Sequence, residues 1–108
     1  MYFVYVEYNS SSDIEIDEVI FRVLNAVREN QYSEGCYERN DYYDVYGFLK
    51  LETAKEFIER VKRLNRDEIE KIELMKCNNC GVNLATRFVK FSEIRKEFLC
   101  EECYQSLI

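Results

Sequence analysis

Two cysteine pairs in the last third of the chain decide how the fold is interpreted. They lie in the stretches Cys77-Asn78-Asn79-Cys80-Gly81 and Leu99-Cys100-Glu101-Glu102-Cys103-Tyr104. Each pair has Cys-x-x-Cys spacing, and nineteen residues, 81 to 99, separate the two pairs. This spacing is typical of four thiolates around one zinc ion, because each pair can present two sulfurs to a tetrahedral ion. The sequence therefore predicts one structural Zn²⁺ whose ligands are Cys77, Cys80, Cys100 and Cys103.

The residues around the cysteines indicate how such a module folds. Gly81 directly after the first pair permits the tight turn of a zinc knuckle. Residues 84–91 and 96–99 can pair as a hairpin, and residues 100–108 are compatible with a short helix that carries the second pair. Knuckle, hairpin and helix-borne pair describe a treble clef. A zinc ribbon, with two knuckles on two hairpins, is the alternative.

The cysteine motifs, together with Ala85-Thr86 between them, resemble the four-cysteine modules of the bacterial protein-arginine-kinase activator. They resemble more loosely the zinc domain of the unfoldase of the Clp protease. The resemblance covers residues 77–104, and residues 1–75 resemble no family. It implies that the cysteines bind zinc structurally and that the module docks a partner protein.

Two other chemistries use cysteines in this way. Dithiol redox chemistry needs one Cys-x-x-Cys pair beside a helix start, so two matched pairs favour a metal. Iron in a rubredoxin-like site has the same four ligands and is an alternative to zinc, although Tyr104 stands where a second knuckle usually has glycine. Cys36 lies outside the motif and is expected to be a small buried hydrophobic residue.

The first 75 residues alternate strand and helix patterns. Strands are predicted at residues 2–8, 32–37, 42–51 and 69–75, with Gly35 at a bulge. A first helix is predicted from a cap at Ser12 or Asp13 to about Asn30, and a second from a capping box at Thr53 and Glu56. This order predicts an α+β fold. Residues 1–75 are expected to form a ferredoxin-like βαββαβ sheet-and-helix layer. A four-cysteine treble-clef or zinc-ribbon module over residues 76–108 is expected to follow directly.

Two further surfaces are candidates for binding. One is an aromatic face of the sheet, predicted to be covered by the zinc module or by a second copy in a homodimer, or to bind another protein or RNA. The other is the positive charge of the zinc hairpin, a candidate for phosphate contact. The residues of the sheet face are Phe3, Tyr5, Tyr46 and Phe48, and those of the hairpin are Arg87, Lys90, Arg95 and Lys96.

Composition narrows the function classes. The formal charge is −6, with −7 on residues 1–75 and +1 on residues 76–108, which disfavours nucleic acid as a partner. The chain has no histidine, and its three glycines form no phosphate loop, so an enzyme is not expected. It has no apolar run long enough to span a membrane and no basic secretory start, so no membrane association and a cytoplasmic location are expected.

These observations lead to one predicted role and one alternative. The predicted role is a non-enzymatic zinc-containing adaptor or regulatory protein that binds another protein. The alternative is a single-stranded RNA- or DNA-binding protein that uses the aromatic face and the basic hairpin.

Overall fold

The structure is a computed structural model, and it describes residues 1–9, 14–27 and 35–107. Within these ranges the chain forms nine elements in the order β1 (Tyr2–Tyr8), α1 (Ile14–Val27), β2 (Gly35–Arg39), β3 (Tyr43–Phe48), α2 (Leu51–Arg63), β4 (Ile69–Leu74), β5 (Arg87–Lys90), β6 (Lys96–Leu99) and α3 (Glu101–Gln105). None of the helices in these ranges has both the length and the apolar character needed to cross a membrane.

The fold is a mixed α+β arrangement with two antiparallel sheets. The larger sheet has four strands in the order β2-β3-β1-β4, so β1 is central and β4 lies at an edge. The smaller sheet is the β5–β6 hairpin, in which Phe88 lies opposite Phe98. The strand predicted at 69–75 forms but ends at Leu74, and the predicted hairpin forms with a first strand of residues 87–90 instead of 84–91.

Helices α1 and α2 cover one face of the larger sheet. Ile16, Ile20, Leu24 and Val27 recur at three- and four-residue spacing along α1, so they form one buried stripe. This stripe and Phe57 of α2 pack against Val4 and Val6 of β1. The result is a closed apolar layer between the helices and the sheet.

Tyr46 and Phe48 belong to this helix-side layer, and the prediction that they share a face with Phe3 and Tyr5 is wrong. Tyr46 lies directly opposite Val4, and Phe48 opposite Tyr2. Residues opposite each other in an antiparallel pair point to the same face. Tyr46 and Phe48 are therefore buried at 1% and 0% exposure, with their rings 5.6 and 5.2 Å from that of Phe57.

Several element ends differ from the prediction. Helix α2 begins at Leu51, with Lys50 as an N-cap whose side chain makes no capping bond, so the capping box at Thr53 is wrong. Thr53 is buried inside the first turn. Strand β3 ends at Phe48, and β2 runs on to Arg39 with its register shift after Cys36. The predicted caps at residues 12–13 and the segment 28–34 lie outside the described residues.

The C-terminal segment packs on the opposite face of the same sheet. Phe3 and Val45 form a buried cluster with Ala85 and Phe98. The Phe98 ring lies 4.9 Å from that of Phe3 in an edge-on arrangement and 5.0 Å from that of Phe88. The sheet is thus covered on one face by α1 and α2 and on the other by residues that follow β4.

A buried carboxylate joins the two central strands. Asp44 is 1% exposed, and its Oδ2 accepts hydrogen bonds from the hydroxyls of Tyr8 at 2.7 Å and Tyr46 at 2.8 Å. Burial raises the pKa of Asp44, although both hydroxyls and the nearby Arg39 oppose that rise. The hydrogen bonds satisfy this carboxylate oxygen in the interior.

Candidate metal centre

The first cysteine pair lies on a tight turn that follows β4. The Cys77 amide donates to the Asn83 carbonyl at 2.8 Å, and the Gly81 amide donates to the Cys77 carbonyl at 3.0 Å. Gly81 has φ of 70°, in the left-handed region where glycine is favoured. This is the tight turn that the sequence predicts at Gly81.

The second pair lies where β6 passes into α3. Cys100 is the N-cap of α3, and its Sγ accepts a hydrogen bond from the Cys103 amide at 3.5 Å. The sulfur therefore takes the place of the side-chain oxygen that usually caps a helix. One helical turn separates the two cysteines, so both face the same side.

The fold brings the four cysteines together. Their Sγ atoms all lie within 4.8 Å of one another, and the Cys80 and Cys100 sulfurs are 3.9 Å apart. An ion bound tetrahedrally by sulfurs at about 2.3 Å requires sulfur–sulfur distances of about 3.8 Å. All four cysteines are free rather than joined in disulfides. The donor set therefore fits a metal ion.

Amide groups surround the sulfurs. The Asn79 backbone N–H lies 3.4 Å from Cys77 Sγ, its side-chain Nδ2 lies 3.3 Å from Cys103 Sγ, and Asn83 Nδ2 lies 3.8 Å from Cys100 Sγ. Such donors stabilise negative charge on sulfur and orient the ligands. They are the outer contacts expected around thiolates that bind a metal.

The pKa values of the thiols respond to these contacts. Burial raises the pKa of Cys77, but backbone N–H donors from Cys100, Cys80 and Asn79 outweigh burial and lower it to about 6. Backbone N–H groups of Asn83 and Val82 also lower the pKa of Cys80.

Cys103 behaves in the opposite way. The Asn79 amide lowers its pKa, but the neighbouring sulfurs of Cys100 and Cys77 raise it to about 11. These shifts come from side-chain hydrogen bonds between the sulfurs, so the raised pKa of Cys103 reflects how closely the four cysteines lie.

The knuckle is joined directly to β6. The Asn78 amide donates to the Phe98 carbonyl at 2.8 Å, and Asn78 Oδ1 accepts from the Phe98 amide at 2.7 Å. This reciprocal pair places Phe98 beside the metal site and on the sheet at once. The role of Asn78 was not predicted, because an asparagine in a knuckle does not reveal a bond twenty residues away.

A second contact joins β5 to α3. The Arg87 guanidinium bonds to both carboxylate oxygens of Glu101, at 2.7 and 3.1 Å, and its Cζ lies 4.7 Å from the centroid of the Tyr104 ring. These bonds, with one from Gln105, lower the pKa of Glu101 to about 2. The helix that carries the second cysteine pair is thereby fixed against the hairpin.

The four predicted aromatic surface residues do not form one platform. Phe3 is 2% exposed under the C-terminal segment, and Tyr46 and Phe48 lie on the helix side. Tyr5 alone stays partly exposed, with its ring 5.3 Å from that of Tyr43.

The predicted basic surface is largely balanced by acids. Arg87 pairs with Glu101, and Lys90 lies 3.3 Å from a carboxylate of Glu93. Arg95 lies 3.7 Å from a carboxylate oxygen of Glu97. Lys96 lines a groove together with Tyr5 and Tyr43.

Cys36 is exposed, so the prediction that it is a small buried hydrophobic residue is wrong. Its Sγ donates to the Glu38 carbonyl at 3.3 Å. The residue lies on β2, an edge strand whose register shifts directly after it, and a sulfur on such an edge is open to solvent.

Exposed apolar side chains on the cysteine module are a feature that was not predicted from the sequence. Ile94 at the hairpin turn is 97% exposed and Val82 after the knuckle is 75% exposed. Phe91 and Leu107 are 43% and 54% exposed and line one groove beside Cys103. The available signal was an isoleucine inside a predicted turn, where polar residues are usual.

Comparison of the chain with protein-family models, with curated proteins and with solved structures gives no match. The resemblance to the protein-arginine-kinase activator modules therefore rests only on the cysteine motifs and Ala85-Thr86.

Proposed function

We propose that this protein is a non-enzymatic, zinc-containing adaptor or regulator that binds another protein. The observation that carries the proposal is the convergence of four cysteine sulfurs within 4.8 Å. Four thiolates fill the coordination sphere of Zn²⁺, which leaves no position for a water or a substrate, so the site is structural. Zinc is favoured over iron because a helix start, rather than a second knuckle, supplies Cys100 and Cys103.

The finer fold assignment belongs to the same proposal. The strand order β2-β3-β1-β4, with α1 and α2 on one face, supports a ferredoxin-like layer over residues 1–75. The sequence of knuckle, hairpin and helix supports a treble clef over residues 76–108. The two units share the cluster of Phe3, Val45, Ala85 and Phe98.

The apolar residues of the module support a protein partner. Val82 follows the first cysteine pair, Phe91 and Ile94 lie in the hairpin turn, and Leu107 follows α3. The cysteine site, Asn78 and Arg87 hold these elements in place, so little ordering is needed when a partner binds. Exposed apolar side chains grouped on a rigid element are typical of interaction sites. A cytoplasmic location fits the same proposal, because thiolates bind zinc where disulfides do not form. The residues are Val82, Phe91, Ile94 and Leu107.

Metal content tests the first part of the proposal. The purified chain is expected to hold one zinc per molecule, measured by plasma mass spectrometry, and Cys80→Ser is expected to lose it. Cys36→Ser is the matched control, because Cys36 lies outside the cluster, and it should keep the full equivalent. A wild-type chain that is fully folded over residues 77–107 without metal would contradict the proposal.

Partner capture tests the second part. Ile94→Asp is expected to abolish capture of the partner from the native host extract while zinc content stays unchanged, since Ile94 contacts solvent rather than the core. Tyr42→Asp, at a residue that is 67% exposed on the sheet portion, serves as control and should retain capture. Equal capture by both variants would show that the hairpin is not the docking surface.

A further inference from the structure

Strand β4 leaves one edge of the four-stranded sheet open. It pairs only with β1 among the described strands, and it stands last in the order β2-β3-β1-β4. An open edge presents a row of backbone N–H and C=O groups that can pair with another strand.

The hydrogen-bond pattern shows which backbone groups of β4 face outward. The Met75 amide donates to the Phe3 carbonyl at 2.8 Å, so the backbone N–H of Met75 points toward β1. Hydrogen-bonded pairs alternate along an antiparallel ladder. Lys71 and Glu73 lie four and two residues before Met75 in the same register, so their backbone groups also face β1. The backbone groups of Ile72 and Leu74 therefore point away from β1, toward the open edge.

We propose that this edge binds a second copy of the same chain, with β4 pairing antiparallel to β4 about a two-fold axis at Ile72. Ile72 of each copy would then donate to and accept from Ile72 of the other. In this register Lys71 of one copy lies opposite Glu73 of the second copy, and Glu73 lies opposite Lys71. These two cross-strand pairs are of the non-hydrogen-bonded type, in which the side chains are closest.

Charge complementarity selects this register. Lys71 and Glu73 lie 3.2 Å apart within one chain, and both side chains are 52% exposed. Two copies joined at Ile72 place these four charges in an alternating square. An axis at Lys71 would set lysine against lysine, and an axis at Glu73 would set glutamate against glutamate, which is unfavourable. A lysine on an edge strand normally opposes pairing, but here the register supplies its partner.

The helix side of the edge also suits a second copy. A groove of about 360 Å³ lies between the end of α2 and β4, and Val61, Ile69 and Ile72 contribute apolar side chains to its lining. In the proposed register the two Ile72 side chains lie opposite each other on this face, and the register shift of β4 between Lys71 and Ile69 ends the regular pairing at Glu70. Pairing would therefore extend the helix-side apolar layer from one copy to the next. The result is one continuous eight-stranded antiparallel sheet.

Charge-reversal variants test the register. Sedimentation velocity of the zinc-loaded wild type is expected to show twice the chain mass of 13.1 kDa. K71E and E73K each place like charges opposite one another, and each should weaken dimerisation about tenfold or more because two pairs change at once. An equimolar mixture of K71E and E73K should form dimers again, since each variant supplies the charges that the other lacks. The double variant K71E/E73K should also dimerise.

Controls separate this surface from a general effect of charge. K90E and E93K change the net charge by the same amount on the hairpin, where both side chains are exposed, and both should dimerise like the wild type. Circular dichroism confirms that each variant is folded. A wild type that stays monomeric at about 100 µM overturns the proposal, since a dimer of micromolar affinity would be the main species at this concentration. The proposal is also overturned if K71E or E73K alone dimerises as the wild type does, or if the mixture of K71E and E73K does not form dimers. Zinc binding by the chain is independent of every one of these outcomes.

Discussion

Phe98→Ala is expected to destabilise both the cysteine module and the sheet. Phe98 is 3% exposed and belongs to the cluster that contains Phe3 and Val45 of the sheet. Its backbone also makes the two hydrogen bonds to Asn78 of the knuckle. Removing the ring leaves those backbone bonds possible but removes the packing between the two parts of the chain.

The size of the effect follows from the packing. Phenylalanine-to-alanine changes in protein cores cost about 3–5 kcal/mol, and each lost aromatic pair contributes about 0.5–1.5 kcal/mol of that cost. Phe98 has two such pairs, with Phe3 at 4.9 Å and Phe88 at 5.0 Å. Phe98 also lines an open groove, so water can enter the space left by the ring. We therefore expect the lower end, about 3 kcal/mol.

Urea unfolding in zinc-saturated buffer measures the loss. Far-ultraviolet circular dichroism follows the whole chain, and tyrosine fluorescence is available because the chain has nine tyrosines and no tryptophan. Hydrogen exchange should show faster opening of amides on β1 and β3 as well as on β6. Phe91→Ala is the control, because Phe91 is 43% exposed, and it should cost less than about 1 kcal/mol.

Two results would refute this reasoning. One is a loss of stability for Phe98→Ala no larger than that of the control. The other is faster exchange confined to residues 76–107 with β1 and β3 unchanged. Either would mean that the cysteine module and the sheet do not stabilise each other through this cluster.

Three smaller predictions concern single residues. The pKa of Glu101 lies at about 2, below its ordinary value of 4.5, so its contact with Arg87 stabilises the fold fully above pH 4.5. This stabilisation is lost as the pH falls toward 2. Carbon NMR of the Glu101 carboxylate should show this titration, and Arg87→Gln should raise the pKa of Glu101. Gly81→Ala meets no neighbouring atom but requires φ of 70°, so it should cost about 1–2 kcal/mol and weaken metal binding, measured by chelator competition. Gly47→Ala would place its Cβ within 3 Å of the Tyr37 ring and should cost about 1–3 kcal/mol in thermal unfolding.

The cysteine site was predictable because its signal is local. Spacing within each pair sets the knuckle and the helix turn, and nineteen intervening residues suffice for the hairpin that returns the second pair. The strand over residues 69–74 was predictable for a similar reason, since its β-branched residues stand between a turn and the knuckle.

The face of β3 could not be read from the sequence because both faces of the sheet are covered. Tyr43 and Val45 pack on the module side, while Tyr46 and Phe48 pack on the helix side with the buried Asp44, whose carboxylate makes that face look solvent-exposed in the sequence. Only the register with β1, which places Tyr46 opposite Val4, decides between the two faces. A one-residue slip in register exchanges the faces, and no turn between β1 and β3 sets that register locally.

The false capping box has a related cause. Thr53 and Glu56 have the right spacing, but burial of Thr53 and Phe57 against the sheet starts the helix earlier, at Leu51. Tertiary packing therefore overrides a local capping preference.

The order in which the chain is synthesised gives the cluster around Phe98 a further consequence. Phe3 and Val45 leave the ribosome well before Ala85 and Phe98, which cover them. The face of the sheet that carries Phe3 and Val45 therefore stays uncovered until the second cysteine pair has been synthesised and can approach the first. Until the two cysteine pairs meet, that apolar face is exposed to solvent, and transiently exposed apolar surface promotes aggregation.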